Sequence, residues 1–406
     1  MRNIVRSQFF SIAGLLSLLF VSSSCLCPLI VPDPPPKEEA WPSWAPDSQR
    51  LAYECYLDGP VQEGSRSIVD WGEPEGVFQS FYTAEAADIC ISDVDEHDQV
   101  RLITDPGGDW HPVWSPDGSR IAYLRQDGIY LVTVEGGEQH RLVPLDSSYI
   151  KLGWLPGEDL DLSWSPAGDR LLFSGCLDNP DHDVYVVDAD TGAIVNLTPN
   201  SRMQEISPMW TLDGTKIVFL STASSSSQYN SCDLKGDAPH QLRLVNVDGS
   251  GANVVYEPEF FYASISVSNS GQVLFVANMT SMTAYDYSLP STEKGNLYRI
   301  DLAGENLIEM LTVGEGGNEI IIAPSWSPNE DYVAYRHFTK LRILNVGTGE
   351  VHELSEQPSV DSFVWSPDSQ RIAVTTSIWE DMARDSEEHI HVFDLRSWTF
   401  SPLLPK

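Results

Sequence analysis

Trp114-Ser115-Pro116-Asp117-Gly118, running into Ser119-Arg120-Ile121-Ala122-Tyr123, is the stretch whose reading decides the fold. Two apolar segments of β character flank a four-residue turn. Pro presets φ in that turn, Asp tolerates it, and Gly supplies the positive φ that closes it. The same hairpin recurs along the chain. Trp44-Ala-Pro-Asp-Ser precedes Leu51-Ala52-Tyr53, Trp164-Ser-Pro-Ala-Gly precedes Leu171-Leu172-Phe173, and Trp210-Thr-Leu-Asp-Gly precedes Ile217-Val218-Phe219. Trp326-Ser-Pro-Asn-Glu and Trp365-Ser-Pro-Asp-Ser precede Val333-Ala334-Tyr335 and Ile372-Ala373-Val374, and a degenerate copy, Val267-Ser-Asn-Ser-Gly, precedes Val273-Leu274-Phe275.

Each copy is followed by a third β segment, such as Gly128–Val134 or Asp183–Asp188, then by a second turn and a fourth short segment. Four antiparallel strands repeated every 40–70 residues predict an all-β propeller of four-stranded blades. No long stretch of helical period competes with it. Seven copies predict seven blades.

The W-S-P-D-G-x-x-I-A-Y pattern resembles the TolB-like propeller family, whose units are also called WD40-like β-propeller repeats. The resemblance runs from about residue 40 to the end of the chain. It departs at the fifth copy, which lacks Trp and Pro, and at Leu212, which stands where Pro is usual. Because family members commonly have six blades, six with one divergent repeat is the runner-up. The resemblance implies an envelope scaffold for protein partners.

Strand order divides the connections between two faces. Links from strand one to two and from three to four are tight turns on one face. Links from two to three, and from blade to blade, lie on the other and are long: 57–86 with Trp71, Phe78, Phe81 and Tyr82; 224–240; 278–295 with Tyr285 and Tyr287; 378–388 with Trp379; and 106–111 with Trp110 and His111. Long loops gathered on one rim mark a binding face, and aromatic residues there suit protein or glycan contacts.

The N-terminus reads as an export signal. Arg2 and Arg6 precede an apolar run, Phe9–Val21, too short for a membrane span, and Ser22-Ser23-Ser24 leads to Cys25. That order resembles a lipoprotein signal with Cys25 as the lipidated residue, although Ser22 stands where Leu is usual. Residues 26–38 are a proline-rich spacer and 39–406 a single propeller domain. Of six cysteines, Cys55, Cys90, Cys176 and Cys232 lie in that domain, which suits two disulfides in an oxidising compartment. Three pairings are open; Cys55–Cys90 with Cys176–Cys232 is favoured because each pair brackets an insertion or joins neighbouring repeats.

With 59 acidic against 24 basic residues and a net charge of −35, nucleic acid and an anionic membrane surface are poor partners. Membrane attachment is expected through the lipid anchor only, and the chain is expected to be monomeric. The repeat tryptophans read as inter-blade core, and the repeated Asp as a turn residue. His389 and His391 share a face of a strand, but no third metal ligand is evident. The acidic runs 93–98 and 178–183 offer oxygen ligands for calcium without the full EF-hand pattern. No G-x-S-x-G elbow, Walker loop or H-E-x-x-H motif occurs. These observations favour a non-catalytic binding protein without cofactor; the alternatives are a metal-dependent carbohydrate lyase on a propeller and a sensory lipoprotein that binds a small ligand or a glycan.

Overall fold

Each repeat turn is held by its own side chains. In the second copy Ser115 Oγ donates to Asp117 at 2.6 Å and accepts the Arg120 N–H at 3.0 Å, while Asp117 also accepts the Ser119 N–H at 3.0 Å. Ser366, Asp368 and Arg371 repeat this arrangement, as do Thr211, Asp213 and Lys216. A hydroxyl that bridges the turn carboxylate and the first residue of the returning strand satisfies donors a tight turn would otherwise leave open.

The computed structural model describes residues 39–55, 87–104, 108–125, 127–144, 162–177, 182–199, 203–223, 241–257, 261–277, 296–312, 321–354, 359–379 and 386–404. Among them the chain forms seven four-stranded antiparallel sheets, each built from four consecutive strands. Blades 1 to 7 span 39–101, 109–144, 163–196, 203–256, 261–311, 321–354 and 359–402. The chain is a seven-bladed β-propeller, which sets aside the six-bladed alternative. First strands of neighbouring blades touch one another, as in blades 1 and 2, 4 and 5, 5 and 6, and 7 and 1, so they are innermost. Fourth strands form the rim, where Val100, Val195, Val254 and Ile308 are exposed.

The core is a ring of seven apolar clusters, each shared by two successive blades. Trp44, Trp114, Trp164, Trp326 and Trp365 are buried in it, and Trp210 packs at its edge. Four indoles donate to a carbonyl of the preceding blade: Trp44 to Val364 at 3.1 Å, Trp164 to Val113 at 3.0 Å, Trp210 to Ser163 at 3.4 Å and Trp365 to Ser325 at 3.3 Å. Each acceptor immediately precedes the tryptophan of its own blade, so one rule links these four pairs of neighbours; the indole N–H groups of Trp114 and Trp326 are buried without such a bond. Arg50 and Arg120, opening second strands, lie 5.0 Å over Trp114 and Trp164 of the next blades.

The left-handed turn residue is also an inter-blade contact. A Cβ on Gly118 would lie 3.2 Å from Pro46 Cγ, and one on Gly168 would lie 3.5 Å from Pro116 Cδ. Where a side chain replaces that glycine, it reaches the neighbouring turn. Ser48 Oγ accepts the Asp368 N–H at 3.1 Å, Ser369 Oγ accepts the Asn329 N–H at 3.0 Å, and Glu330 accepts the Ser270 hydroxyl at 2.7 Å. Blades 4 and 5 break the pattern: Gly271 faces Leu302 of its own blade, and Leu212 is 56% exposed.

Among the described residues, blades 7 and 1 close the ring without exchanging a strand. The seam holds the Trp44–Val364 bond, an ion pair between Arg371 and Asp95 at 3.1 Å, and His97 Nδ1 2.7 Å from the Leu403 carbonyl oxygen. The favoured Cys55–Cys90 disulfide is formed; it joins adjacent strands at the root of the longest connection, with a Cα–Cα distance of 5.8 Å. Cys176 is disulfide-bonded as well, and Cys232 lies outside the described residues.

Two sequence boundaries need correction. Trp110 and His111 belong to the first strand of blade 2, Asp109–Trp114, and not to a connection. The 378–388 insertion shrinks to 380–385, because the flanking strands Arg371–Trp379 and Ser386–Asp394 pair along nine residues each.

Candidate binding site at the axial mouth

Four first strands carry the sequence x-Pro-x-Trp: Trp41-Pro-Ser-Trp44, His111-Pro-Val-Trp114, Ser207-Pro-Met-Trp210 and Ala323-Pro-Ser-Trp326. Pairing with the second strand slips at this point in each, a β-bulge. The residue before proline adopts a left-handed backbone, with φ of 52°, 53°, 51° and 49° at Trp41, His111, Ser207 and Ala323. Non-glycine residues pay on the order of 1 kcal/mol or more for that conformation, which must be offset by the surrounding contacts. On the innermost strand, a side chain with open surface has only the axis to face. The bulges therefore present Trp41 and His111 to the axial channel, where both are partly exposed.

These two rings stack, with centroids 4.6 Å apart and planes at 28°. Buried Glu54 accepts the His111 backbone N–H at 2.9 Å, tying blade 1 to the bulge of blade 2. Part of the His111 surface is open, but protein packs around most of it, and this desolvation pulls its pKa down to about 4, leaving the imidazole neutral at physiological pH. In blade 7 the bulge carries Asp361, one rung nearer the long connections, between the pairs Val360–Thr376 and Ser362–Thr375. Asp361 is exposed to the channel, and burial on its flanks raises its pKa against the pull of Ser377 and Arg336. Arg336 occupies in blade 6 the rung that Glu54 occupies in blade 1, and its guanidinium donates to the Val360 and Asp361 carbonyls.

The mouth of this channel lies on the face with the long connections. All the connections outside the described residues between blade 1 and blade 7 run from a second to a third strand or from one blade to the next, the largest being 56–86, 145–161, 224–240 and 278–295. Buried polar groups anchor their roots. Asp109 pairs with Arg125 at 2.7 Å, Asp183 accepts from Asn196 at 2.8 Å, and Glu205 accepts from Ser221 at 3.2 Å.

Of the residues singled out from sequence, Trp71, Phe78, Phe81, Tyr82, Tyr285 and Tyr287 lie outside the described residues, as does Cys25. Trp379 ends the second strand of blade 7, paired with Ser386. Trp110 is only 6% exposed and sits in the core between blades 2 and 3, so its ring serves packing. His111 alone among the described candidates faces the axis beside another aromatic ring. His391 Nδ1 lies 3.2 Å from Thr376 Oγ1, and among the described residues no three metal-ligating side chains converge. Asp93 accepts the N–H groups of Asp95 and Glu96, each at 2.9 Å, as a turn residue does. Sequence reasoning missed Trp41, Glu54, Arg336 and Asp361. The repeated x-Pro-x-Trp was the signal that pointed to Trp41.

A cleft of about 200 Å³ between blades 5 and 6 is lined by Leu311, Ile321, Tyr335, His337 and Arg342. It is smaller than a usual ligand pocket, and its Arg342 is paired with Glu353 at 2.7 Å.

No protein-family model matches the chain. An uncharacterised protein of Agrobacterium fabrum is 27% identical over 311 residues, covering 73% of this chain and 84% of the relative. Among solved structures, oligogalacturonate lyase from Vibrio parahaemolyticus superposes with a TM-score of 0.61 at 12% identity, over 90% of this chain and 93% of the lyase. The β-propeller domain of the trilobed protease from Pyrococcus furiosus, described as having an open velcro topology, gives a TM-score of 0.55 at 13% identity, over 91% and 98%. Identities this low establish a common fold and nothing about chemistry.

Proposed function

We propose that this is an exported, membrane-tethered propeller that recruits a protein partner on the face bearing its long connections and performs no chemistry on it. The observation that carries this reading is the asymmetry of the two faces. One is a ring of tight turns occupied with bonding neighbouring blades, whereas the strands that flank the long connections all open onto the other. Elaborated loops on a rigid scaffold are where binding surfaces are built. The Cys55–Cys90 disulfide supports maturation in an oxidising compartment. Arg2, Arg6, the apolar run and Cys25 supply a route to export and lipidation, and the proline-rich 26–38 segment a spacer.

The test is co-purification from solubilised envelopes of wild type and of a variant whose residues 57–86 are replaced by a short Gly-Ser linker. The proposal expects a discrete protein retained by wild type and lost by the variant, with the thermal midpoint within a few degrees. Retention of the same protein by the shortened chain overturns it. A lyase reading draws support from the near-complete overlap in length with oligogalacturonate lyase. It requires a stoichiometric divalent ion and turnover of an acidic oligosaccharide by the purified chain.

A further inference from the structure

We propose that the arc of Asp361, Trp41 and His111 in blades 7, 1 and 2 is a slot for a cationic side chain, ammonium or guanidinium, contributed by the partner. This rests on the face assignment above and adds the chemistry that the face selects. Blade order places Asp361 on the opposite side of Trp41 from His111. The indole therefore has the stacked imidazole of blade 2 on one side, at 4.6 Å, and on its other side the blade that carries the exposed carboxylate of Asp361. An aromatic face beside a carboxylate attracts a cation twice, through the ring quadrupole and through direct charge.

Three features leave a net attraction for a cation. His111 is neutral at physiological pH, so the stack does not repel a cation. Arg336, whose charge pulls on Asp361, is held against the blade 7 backbone by Nη1 bonds to the Val360 and Asp361 carbonyls, and the Glu54 carboxylate offsets its charge in the arc. Glu54 adds a second carboxylate beneath the stack, engaged with the His111 N–H. The net charge of −35 on the whole chain steers cations toward the protein from a distance, and the slot fixes where one of them docks. The bulges serve the same end: without the left-handed backbone at Trp41 and His111, neither ring would be presented to the axis.

The experiment is calorimetric titration of the full chain in detergent at physiological salt with three blocked tripeptides, Gly-Lys-Gly, Gly-Arg-Gly and Gly-Gln-Gly. The proposal expects binding of at least one basic peptide in the submillimolar to millimolar range and none of the Gln peptide. Asp361→Asn is expected to weaken binding at least tenfold and Trp41→Leu several-fold. Asp190→Asn, which removes an acid from the opposite face, leaves it unchanged, and melting curves confirm that all variants fold. Equal binding of the Gln peptide, unaltered affinity in Asp361→Asn, or equal losses in Asp361→Asn and Asp190→Asn each overturn the slot. If Asp361→Asn chains still co-purify the partner that the 57–86 replacement loses, the face assignment stands and the slot alone has failed.

Discussion

A histidine enclosed by protein on the axis takes up a proton later than one on an unfolded chain. His111 titrates at about 4 in the fold, against an ordinary value of 6.5. Between these values the unfolded state binds more protons, so stability rises with pH across that window and is lost as pH falls through it. Thermal midpoints measured from pH 4 to 6.5 should climb for wild type. They should climb less for His111→Asn, since asparagine tolerates the left-handed backbone and cannot charge. A parallel slope in the variant would mean that other groups carry the acid sensitivity. At this scale the sequence was partly legible. The turn aspartates were readable because Ser-Pro-Asp-Gly encodes its own hydrogen bonds within five residues. Asp361 was not, because the role proposed for it depends on ring closure setting its blade next to that of Trp41, over three hundred positions away in the chain.

The hairpin is the element on which the ring depends, and its one weak copy is instructive. Leu212 occupies the proline position, is largely exposed, and faces a neighbour whose Gly271 turns away from it. Because five other copies hold proline after Ser or Ala in the same turn, Leu212→Pro should fit without strain. It is expected to stabilise the chain by about 0.4–1 kcal/mol, chiefly by restricting the unfolded state, read as a higher denaturant midpoint at unchanged slope. The second element-level prediction concerns the disulfide. Replacing Cys55 and Cys90 together by serine frees a closure spanning 35 positions; on chain entropy this costs about 3–4 kcal/mol. Denaturant unfolding should show a loss of that order. Strand identities were readable from the repeat, yet the bulges were not. An x-Pro-x-Trp tetrapeptide reads as a strand interrupted by proline, and only pairing with the second strand shows that the interruption aims a side chain at the axis. The same blindness placed Trp110 and His111 in a connection.

At the scale of the whole molecule, seven sheets, each of four consecutive strands, close into a ring with no described strand shared between the first blade and the last. Trp44 is central to the seam between blades 7 and 1: its indole bonds Val364, and its ring sits in the cluster that joins first blade to last. Trp44→Ala is expected to cost about 3–5 kcal/mol, with hydrogen exchange accelerating first in blades 1 and 7; uniform acceleration around the ring would refute a special role for the seam. Blade number and the division between a tight-turn face and a long-connection face were legible because repeats of fixed strand order leave little topological freedom. The proposed partner was not, since the connections assigned to recruiting it share no repeat. The central claim is that one face recruits and the other does not, and site-specific photo-crosslinking in intact cells tests it directly. With the crosslinker at Tyr82 in the 57–86 connection, and at exposed Glu135 in a tight turn of blade 2 as the control, discrete protein adducts are expected from Tyr82 alone. Adducts from Glu135 alone, or from neither position, would contradict it.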